Sequence, residues 1–206
     1  MTDAASTSSR QAILDRLRSR PVTAPPLPDL HPAGLVAYDD PLAQFCQVAT
    51  SVGAAVHRIG SLDEIGPILE ELPPYRDART RASLLPAAVP GNLDLASVDD
   101  PHDLASLDWL IAAGDFGVAE NGAIWMRTAG VRHRASFFIT QYLAIVISAA
   151  DIVPHMHAAY ERIGSTIEQG FGVFIAGPSK TADIEQSLVL GAHGCRALTI
   201  FVCGEA

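Results

Sequence analysis

The segment ASFFITQYLAIVIS (residues 135–148) contains most of the longest apolar run of the chain and decides its fold class. The run is nearly continuous rather than alternating, as expected for a β-strand that is covered on both faces. Thr140 and Gln141 interrupt it, so the run is too short and too polar for a transmembrane helix. We therefore predict a buried strand of a largely parallel sheet and no membrane span.

Helical and strand patterns alternate along the chain around this segment. The segments that read as helices are PLAQFCQVATSVG (41–53), SLDEIGPILEELP (61–73), part of DDPHDLASLDWLIAAG (99–114) with an end at Gly114, and IVPHMHAAYERIG (152–164). The segments that read as strands are AAVHRI (54–59), RASLLP (81–86), the two arms of FGVAENGAIWMR (116–127), GFGVFIAG (170–177) and ALTIFVCG (197–204). This alternation predicts an α/β fold, a mostly parallel sheet flanked by helices.

The N-terminal region has a different character from the rest of the chain. Residues 6–19 read as an amphipathic helix, and RPVTAPPLPDLHP (20–32) is a proline-dense linker that cannot be helical. We predict an N-terminal helix and linker over residues 1–34 and an α/β domain over residues 35–206. The first residues have no apolar stretch of the kind found in secretory signals, which favours a cytoplasmic protein.

Composition excludes some classes of partner and cofactor. Lys and Arg number 14 against 23 Asp and Glu, a formal net charge of -9, which argues against a nucleic-acid-binding protein. A small anion can still bind, because local donors can outweigh net charge. The cysteines Cys46, Cys195 and Cys203 have no CxxC spacing. We expect free thiols and no metal or cofactor bound by this chain.

The segment GPSKTADIE (177–185) is the main candidate ligand site, because it concentrates polar residues directly after a strand pattern. Ligands of open α/β sheets collect beyond the carboxyl ends of the strands, and we place this turn at such an end. Gly177 lets the backbone turn, and Lys180 adds a mobile cation beside freed N–H groups, which together suit a phosphate or carboxylate. The alternative is a helix start with an N-cap and first-turn acids. The candidate ligand-binding residues are Gly177, Pro178, Ser179, Lys180, Thr181, Ala182, Asp183 and Glu185.

Two further positions carry candidate chemistry. Glu120 lies beside the Asn121–Gly122 turn and is a candidate catalytic residue, a general base or nucleophile, if its loop faces the same cleft as Lys180. The alternative is a solvated hairpin residue. His193 lies in a glycine-rich loop before the last strand pattern, and it is either structural or catalytic. We include Asn121, Gly122 and His193 among the candidate ligand-binding residues.

The segment GPSKTADIEQSLVLGAHG (177–194) resembles the C-terminal motif of the lactate utilization protein C family, whose common unit is the LUD domain. GVAENGAIWM (117–126) is similar to an earlier motif of that family, with matches at Ala119, Glu120 and Gly122. Asn121 and Ala123 depart from the threonines expected there, which weakens any hydroxyl role for that loop. The resemblance extends over most of the chain.

The resemblance implies a fold similar to the ribose-phosphate isomerase, glucosamine-phosphate deaminase and CoA-transferase group. It also implies a part in the cytoplasmic oxidation of L-lactate to pyruvate, alongside partner proteins that carry iron–sulfur clusters. A small anionic metabolite is the expected ligand. The alternatives are a stand-alone enzyme acting on a sugar phosphate or acyl-CoA, and a scaffold with a vestigial cleft. The ligand-site hypothesis predicts that Glu120, Lys180, Asp183 and His193 line one cleft.

Overall fold

A computed structural model describes residues 3–20, 25, 35–164, 170–181 and 189–204. The chain forms two compact units, Met1–Ala33 and Gly34–Ala206. The first unit contains helix α1 (Asp3–Arg18). Most of the linker expected over residues 20–32 lies outside the described residues.

The second unit is built on a five-stranded parallel sheet. Its strands are β1 (Ala55–Ile59), β2 (Arg81–Ser83), β3 (Trp109–Ala113), β6 (Tyr142–Ser148) and β11 (Ala197–Cys203). The order across the sheet is β1-β11-β6-β3-β2, and every neighbouring pair is parallel. The strand predicted from the apolar run therefore lies at the centre of the sheet, and the α/β prediction is confirmed.

Helices cover both faces of this sheet. They are α2 (Pro41–Ser51), α3 (Ile65–Glu71), α4 (Pro73–Arg76) and α5 (Ser136–Ile139). Along β6, Leu143 and Ile145 pack into one core together with Phe45 of α2, whereas Ala144 packs into the opposite core with Ile65 of α3. Alternate residues thus enter different cores, which explains why the sequence of a strand buried on both faces shows no polar side.

A second sheet of four strands forms beside the first. Its strands are β4 (Phe116–Val118), β5 (Ala123–Arg127), β7 (Ile152–Val153) and β8 (Gly172–Ile175), in the order β7-β4-β5-β8. Strand β5 is antiparallel to β4 and β8. Helix α6 (Met156–Ile163) shares a small core with this sheet, and a short antiparallel ribbon joins β9 (Lys180–Thr181) to β10 (Val189–Leu190).

Two sequence predictions are corrected. The helix predicted to end at Gly114 is a short 3-10 turn (Pro101–Ser106) followed by strand β3. The apolar run of β3 lies between β2 and β6 and is buried on both faces, so it carries no helical periodicity. The helix predicted from residue 152 starts only at Met156, because β7 and Pro154 precede it.

Candidate functional site

A cavity of about 500 Å³, the GPSK cavity, lies at the turn that follows β8, the GPSK turn of residues 177–180. Its lining residues are Val52, Phe137, Phe138, residues 174–180 and residues 193–195. Three aromatic rings, Phe137, Phe138 and Phe174, contribute the apolar part of this lining. Ser179, Lys180 and His193 contribute polar groups. The cavity thus combines an apolar wall with a few polar groups, which is the usual composition of a small-molecule site.

The cavity lies at the amino ends of the parallel strands. Val52 precedes β1, Phe138 precedes β6, and Cys195 precedes β11. The sequence placed the GPSK turn beyond the carboxyl end of a strand of the parallel sheet, and this placement is wrong. The turn does follow a strand, but β8 belongs to the second sheet, where it pairs antiparallel with β5, and it delivers the chain to the opposite edge of the large sheet.

The backbone of the turn is fixed by contacts on several sides. Gly177 has a φ of 69°, and a Cβ atom there would lie 2.8 Å from the carbonyl oxygen of Val52. The amide of Ser179 donates a hydrogen bond to the carbonyl of Cys195 over 2.9 Å, and Gly191 donates its amide to the carbonyl of Ser179 over 3.0 Å. The amide of Ser179 is therefore already paired and is not available to a ligand.

Lys180 is the single lysine of the sequence. Its Nζ donates a hydrogen bond to the carbonyl oxygen of Val52 over 2.6 Å, at the residue that caps the C-terminus of α2. A cation is favourable there because the carbonyl end of a helix carries partial negative charge. This bond uses one of the three ammonium donors, so two N–H groups remain for a ligand as far as the described residues are concerned.

His193 connects the cavity to a second one. A cavity of about 410 Å³ shares Phe138, His193 and Gly194 with the first and extends to Thr140 and Gln141. Gly194 permits close packing here, because a Cβ atom at this position would lie 3.2 Å from the Cβ of Ser179. His193 therefore lines both cavities.

The structure brings together one group of the predicted ligand-binding residues. Those that line the large cavity are Gly177, Pro178, Ser179, Lys180 and His193. Thr181 lies in β9, and its side chain is outside the described part of the chain. Ala182, Asp183 and Glu185 also lie outside the described residues.

Glu120 and its turn are not among the lining residues of this cavity. The Oε2 atom of Glu120 accepts a hydrogen bond from the amide of Met156 over 2.9 Å, at the N-terminus of α6. Asn121 Oδ1 accepts from the amide of Ala123 over 3.0 Å. At Gly122 a Cβ atom would lie 2.8 Å from the amide nitrogen of Ala49, so this turn packs against α2. The catalytic role of Glu120 stays a prediction.

Cys195 is a lining residue that the sequence did not single out. Its side chain is buried, and burial raises the pKa of the thiol above its ordinary value of 9.0. Hydrogen bonding with the backbone of Ser179 and of Cys195 lowers the pKa of the thiol, but this effect is smaller than that of burial. The thiol is therefore neutral at physiological pH and acts as a small apolar wall rather than a nucleophile.

The described residues contain neither a candidate membrane span nor a candidate metal centre. Among the helices described, none is long and apolar enough to cross a bilayer. In the same part of the chain, no three His, Cys, Asp or Glu side chains are grouped so that they could hold a metal ion.

The sequence of this chain is similar to those of a known family of proteins. Residues 42–203 match the family model of the LUD domain. A protein named lactate utilization protein C from Bacillus pumilus is 32% identical over 101 residues, which are 46% of this chain and 42% of that protein. One of the same name from Geobacillus kaustophilus is 36% identical over 89 residues, 41% of this chain and 37% of that protein. These matches thus span about two fifths of those relatives.

A longer match and a solved structure agree with the family model. The lactate utilization protein C of Deinococcus radiodurans is 26% identical over 196 residues, 90% of this chain and 89% of that protein. A crystal structure of a DUF162 family protein from Deinococcus radiodurans matches with a TM-score of 0.63 at 19% identity, over 82% of this chain and 99% of that one. At this identity the likeness shows the fold alone.

The fold is therefore an α/β domain of the type found in that solved protein. More specifically, the chain belongs to the LUD domain family, since the family model covers most of its length. The resemblance to lactate utilization protein C predicted from the 177–194 motif is confirmed.

Proposed function

We propose that this protein is a cytoplasmic component of an L-lactate utilization system that oxidises L-lactate to pyruvate. Membership of the LUD domain family supports this role, together with relatives named lactate utilization protein C. The oxidation releases two electrons and two protons from the C2–H and O–H of lactate. In this proposal, iron–sulfur clusters on partner proteins accept the electrons, and the chain described here binds the carboxylate.

The observation that carries the ligand assignment is the group of polar side chains in the 500 Å³ cavity. Lys180, Ser179 and His193 line it beside an apolar wall. An ammonium group attracts a carboxylate, and a hydroxyl donates a hydrogen bond to it, in a site that is partly removed from water. The aromatic residues exclude water from the remaining surface of a short acid. We propose a 2-hydroxy or 2-oxo acid as the ligand of this cavity.

The neighbouring cavity favours a second candidate function. The two cavities, about 500 and 410 Å³, share Phe138, His193 and Gly194. Together they offer more room than a three-carbon acid needs, and a phosphorylated sugar or an acyl-CoA would use it. In that case the protein acts as a stand-alone enzyme on the longer ligand, and binding of the short acids is weak or absent.

Calorimetric titration separates the two candidates. We expect saturable heat with L-lactate or pyruvate and none with sugar phosphates or acyl-CoA. Lys180→Met should weaken the binding about tenfold or more, since it removes the ammonium group. Arg58→Met is the matched control, because Arg58 is an exposed cation on β1 and is not in the cavity lining. Binding of a CoA ester or sugar phosphate in place of the short acids would favour the second candidate.

The single lysine permits a direct chemical test. An amine-reactive acylating reagent at neutral pH has Lys180 as its one side-chain target, apart from the chain's α-amino group. Peptide mass spectrometry then reports the labelled fraction of Lys180. A ligand at the ammonium group should protect it from acylation as the ligand concentration rises. Labelling that is unaffected by L-lactate and pyruvate would argue against the assigned site.

The biological role needs a genetic and biochemical test in the native cell. Deletion of the gene should impair growth on L-lactate, and the wild-type gene should restore it. The tagged protein should co-purify with an iron–sulfur protein, identified by its visible absorption and by mass spectrometry. Normal growth on L-lactate after deletion, with no such partner recovered, would contradict the proposed function.

A further inference from the structure

A third cavity, of about 250 Å³, lies between the second sheet and α6. Two arginines line it, Arg127 on β5 and Arg162 on α6, together with Asp115. The ring of Trp125 forms part of the wall. Two guanidinium groups from different elements therefore line one small cavity, together with the carboxylate of Asp115.

The position of this cavity in the fold is that of a ligand site. Asp115 comes shortly after the carboxyl end of β3, and Asp151, which pairs with Arg162, comes shortly after the carboxyl end of β6. Ligands of open α/β sheets collect in the crevice outside the carboxyl ends of parallel strands. The GPSK cavity lies at the amino ends instead, so the two cavities belong to opposite edges of the large sheet.

Each guanidinium is held by an aspartate but keeps free donors. Arg127 donates from Nε and Nη2 to the two carboxylate oxygens of Asp115, over 2.7 and 2.8 Å. Arg162 donates from Nη2 to Asp151, and its guanidinium carbon lies 4.8 Å above the ring of Phe116. A guanidinium has five N–H donors, so within the described part of the chain these pairs leave three on Arg127 and four on Arg162.

The two ion pairs fix the positions of the guanidinium groups and leave N–H donors on each of them. Fixing a side chain before the ligand arrives reduces the entropy lost on binding. Bonding to Asp115 raises the pKa of Arg127, so its charge persists throughout the physiological range. Planar guanidinium donors match the oxygens of carboxylates and phosphates better than an ammonium does.

We propose that this cavity, lined by Asp115, Arg127 and Arg162, binds a small oxyanion, a phosphate or a short carboxylate, between the two guanidinium groups. This site is independent of Lys180 and goes beyond the proposed function. The volume accommodates a small anion but not a nucleotide. Phosphate and carboxylate share the chemistry that two arginines recognise, and separate titrations distinguish them.

Tryptophan fluorescence gives the readout. Trp125 lines the cavity, whereas Trp109 is 1% exposed in a different core. Adding inorganic phosphate, L-lactate or pyruvate to the wild-type chain should change the emission saturably at millimolar concentrations. Trp125→Phe should abolish the change in emission, while calorimetry on the same variant should still detect binding.

Substitutions then assign the binding to this site. Arg162→Met keeps an apolar contact with Phe116 and removes the charge, and it should weaken the binding about tenfold or more. Arg127→Met should act in the same direction. Arg132→Met is the matched control, because Arg132 pairs with Asp99 and is not in this lining. Thermal melting of every variant establishes that it is folded.

The outcomes distinguish this site from the GPSK cavity. Binding that persists in Lys180→Met and is weakened in Arg162→Met supports the present proposal, even if the proposed function fails. Binding that is weakened only by Lys180→Met belongs to the GPSK cavity, and this result overturns the present proposal. The proposal is also overturned if the wild-type chain binds neither phosphate nor the short acids, or if folded Arg162→Met and Arg127→Met bind as well as the wild type.

Discussion

The ammonium group of Lys180 caps the C-terminus of α2 by donating to the carbonyl oxygen of Val52 over 2.6 Å, across 128 residues of sequence. The same carbonyl oxygen would be 2.8 Å from a Cβ atom at Gly177. The GPSK turn is thus fitted against the end of α2 by a hydrogen bond and by close packing. The geometry of the large cavity depends on this contact, because both Val52 and Lys180 line it.

Replacing Lys180 with methionine should lower stability as well as ligand affinity. The side chain is exposed, so losing the bond to Val52 should cost only about 0.5–1 kcal/mol in the free energy of unfolding. Urea denaturation followed by circular dichroism measures this change. Lys180→Arg retains the charge and should recover part of the stability. A loss of several kcal/mol would mean that Lys180 supports more of the fold than this single bond.

Gly177→Ala should be more destabilising than Gly130→Ala. Both glycines have positive φ, 69° and 80°, but a Cβ atom at Gly130 meets nothing within 4 Å. Gly130→Ala therefore reports the backbone cost alone, about 1 kcal/mol. Gly177→Ala adds a clash with Val52, which raises the total to about 2 kcal/mol or more. Equal losses in thermal unfolding would show that the turn moves away from α2 without cost.

Glu120→Ala should destabilise the protein by about 1 kcal/mol, because the carboxylate accepts a hydrogen bond from Met156 at the N-terminus of α6. Glu120→Gln keeps an oxygen acceptor and should lose less. Unfolding measurements on both variants test this helix-capping role.

The same two variants test whether Glu120 has a catalytic role. In a strain that depends on this gene for growth on L-lactate, a capping role predicts that Glu120→Gln supports growth. If Glu120→Gln is stable but abolishes growth, the carboxylate has a chemical role beyond the cap.

Stability should fall at alkaline pH, in part because of Cys195. Burial raises the pKa of this thiol in the folded state, so the unfolded state loses its proton first. The stabilisation is complete below the ordinary pKa of 9.0 and declines as pH rises from there through the raised folded value. Urea titrations from neutral pH to values above 9.0 measure the decline.

Cys195→Ala provides the comparison for this pH dependence. It should reduce the slope of stability against pH above the unfolded pKa without abolishing it, because burial also raises the pKa of Cys46 and Tyr75. The prediction fails if the variant and the wild type lose stability in parallel over that range.

The central strands were predictable because burial on both faces leaves a clear pattern in the sequence. The apolar run that became β6 and the run that became β11 are examples. Trp109–Ala113 is equally apolar but short, and a run of that length suits a buried helix or a strand. This segment is a strand because it pairs with β2 and β6, and those pairings involve residues far away in the sequence.

The candidate site was predictable in part. Lys180 and His193 belong to one motif, so their proximity follows from a local reversal of the chain. Val52 and Phe138 come from distant segments and reach the cavity only because β1 and β6 both lie in the parallel sheet. The edge of the sheet was predicted wrongly because nothing local to β8 indicates that it pairs antiparallel with β5.

The position of β11 between β1 and β6 has a consequence for synthesis in the cell. Ala55 of β1 pairs with Thr199 of β11, so β1 has no neighbour in the sheet until the ribosome has released residues 197–203. Before that point, β1 has no partner strand and β6 is paired only on its β3 side, so the nascent chain exposes open strand edges that can pair with other chains. A ribosome stalled before these codons would leave the domain open.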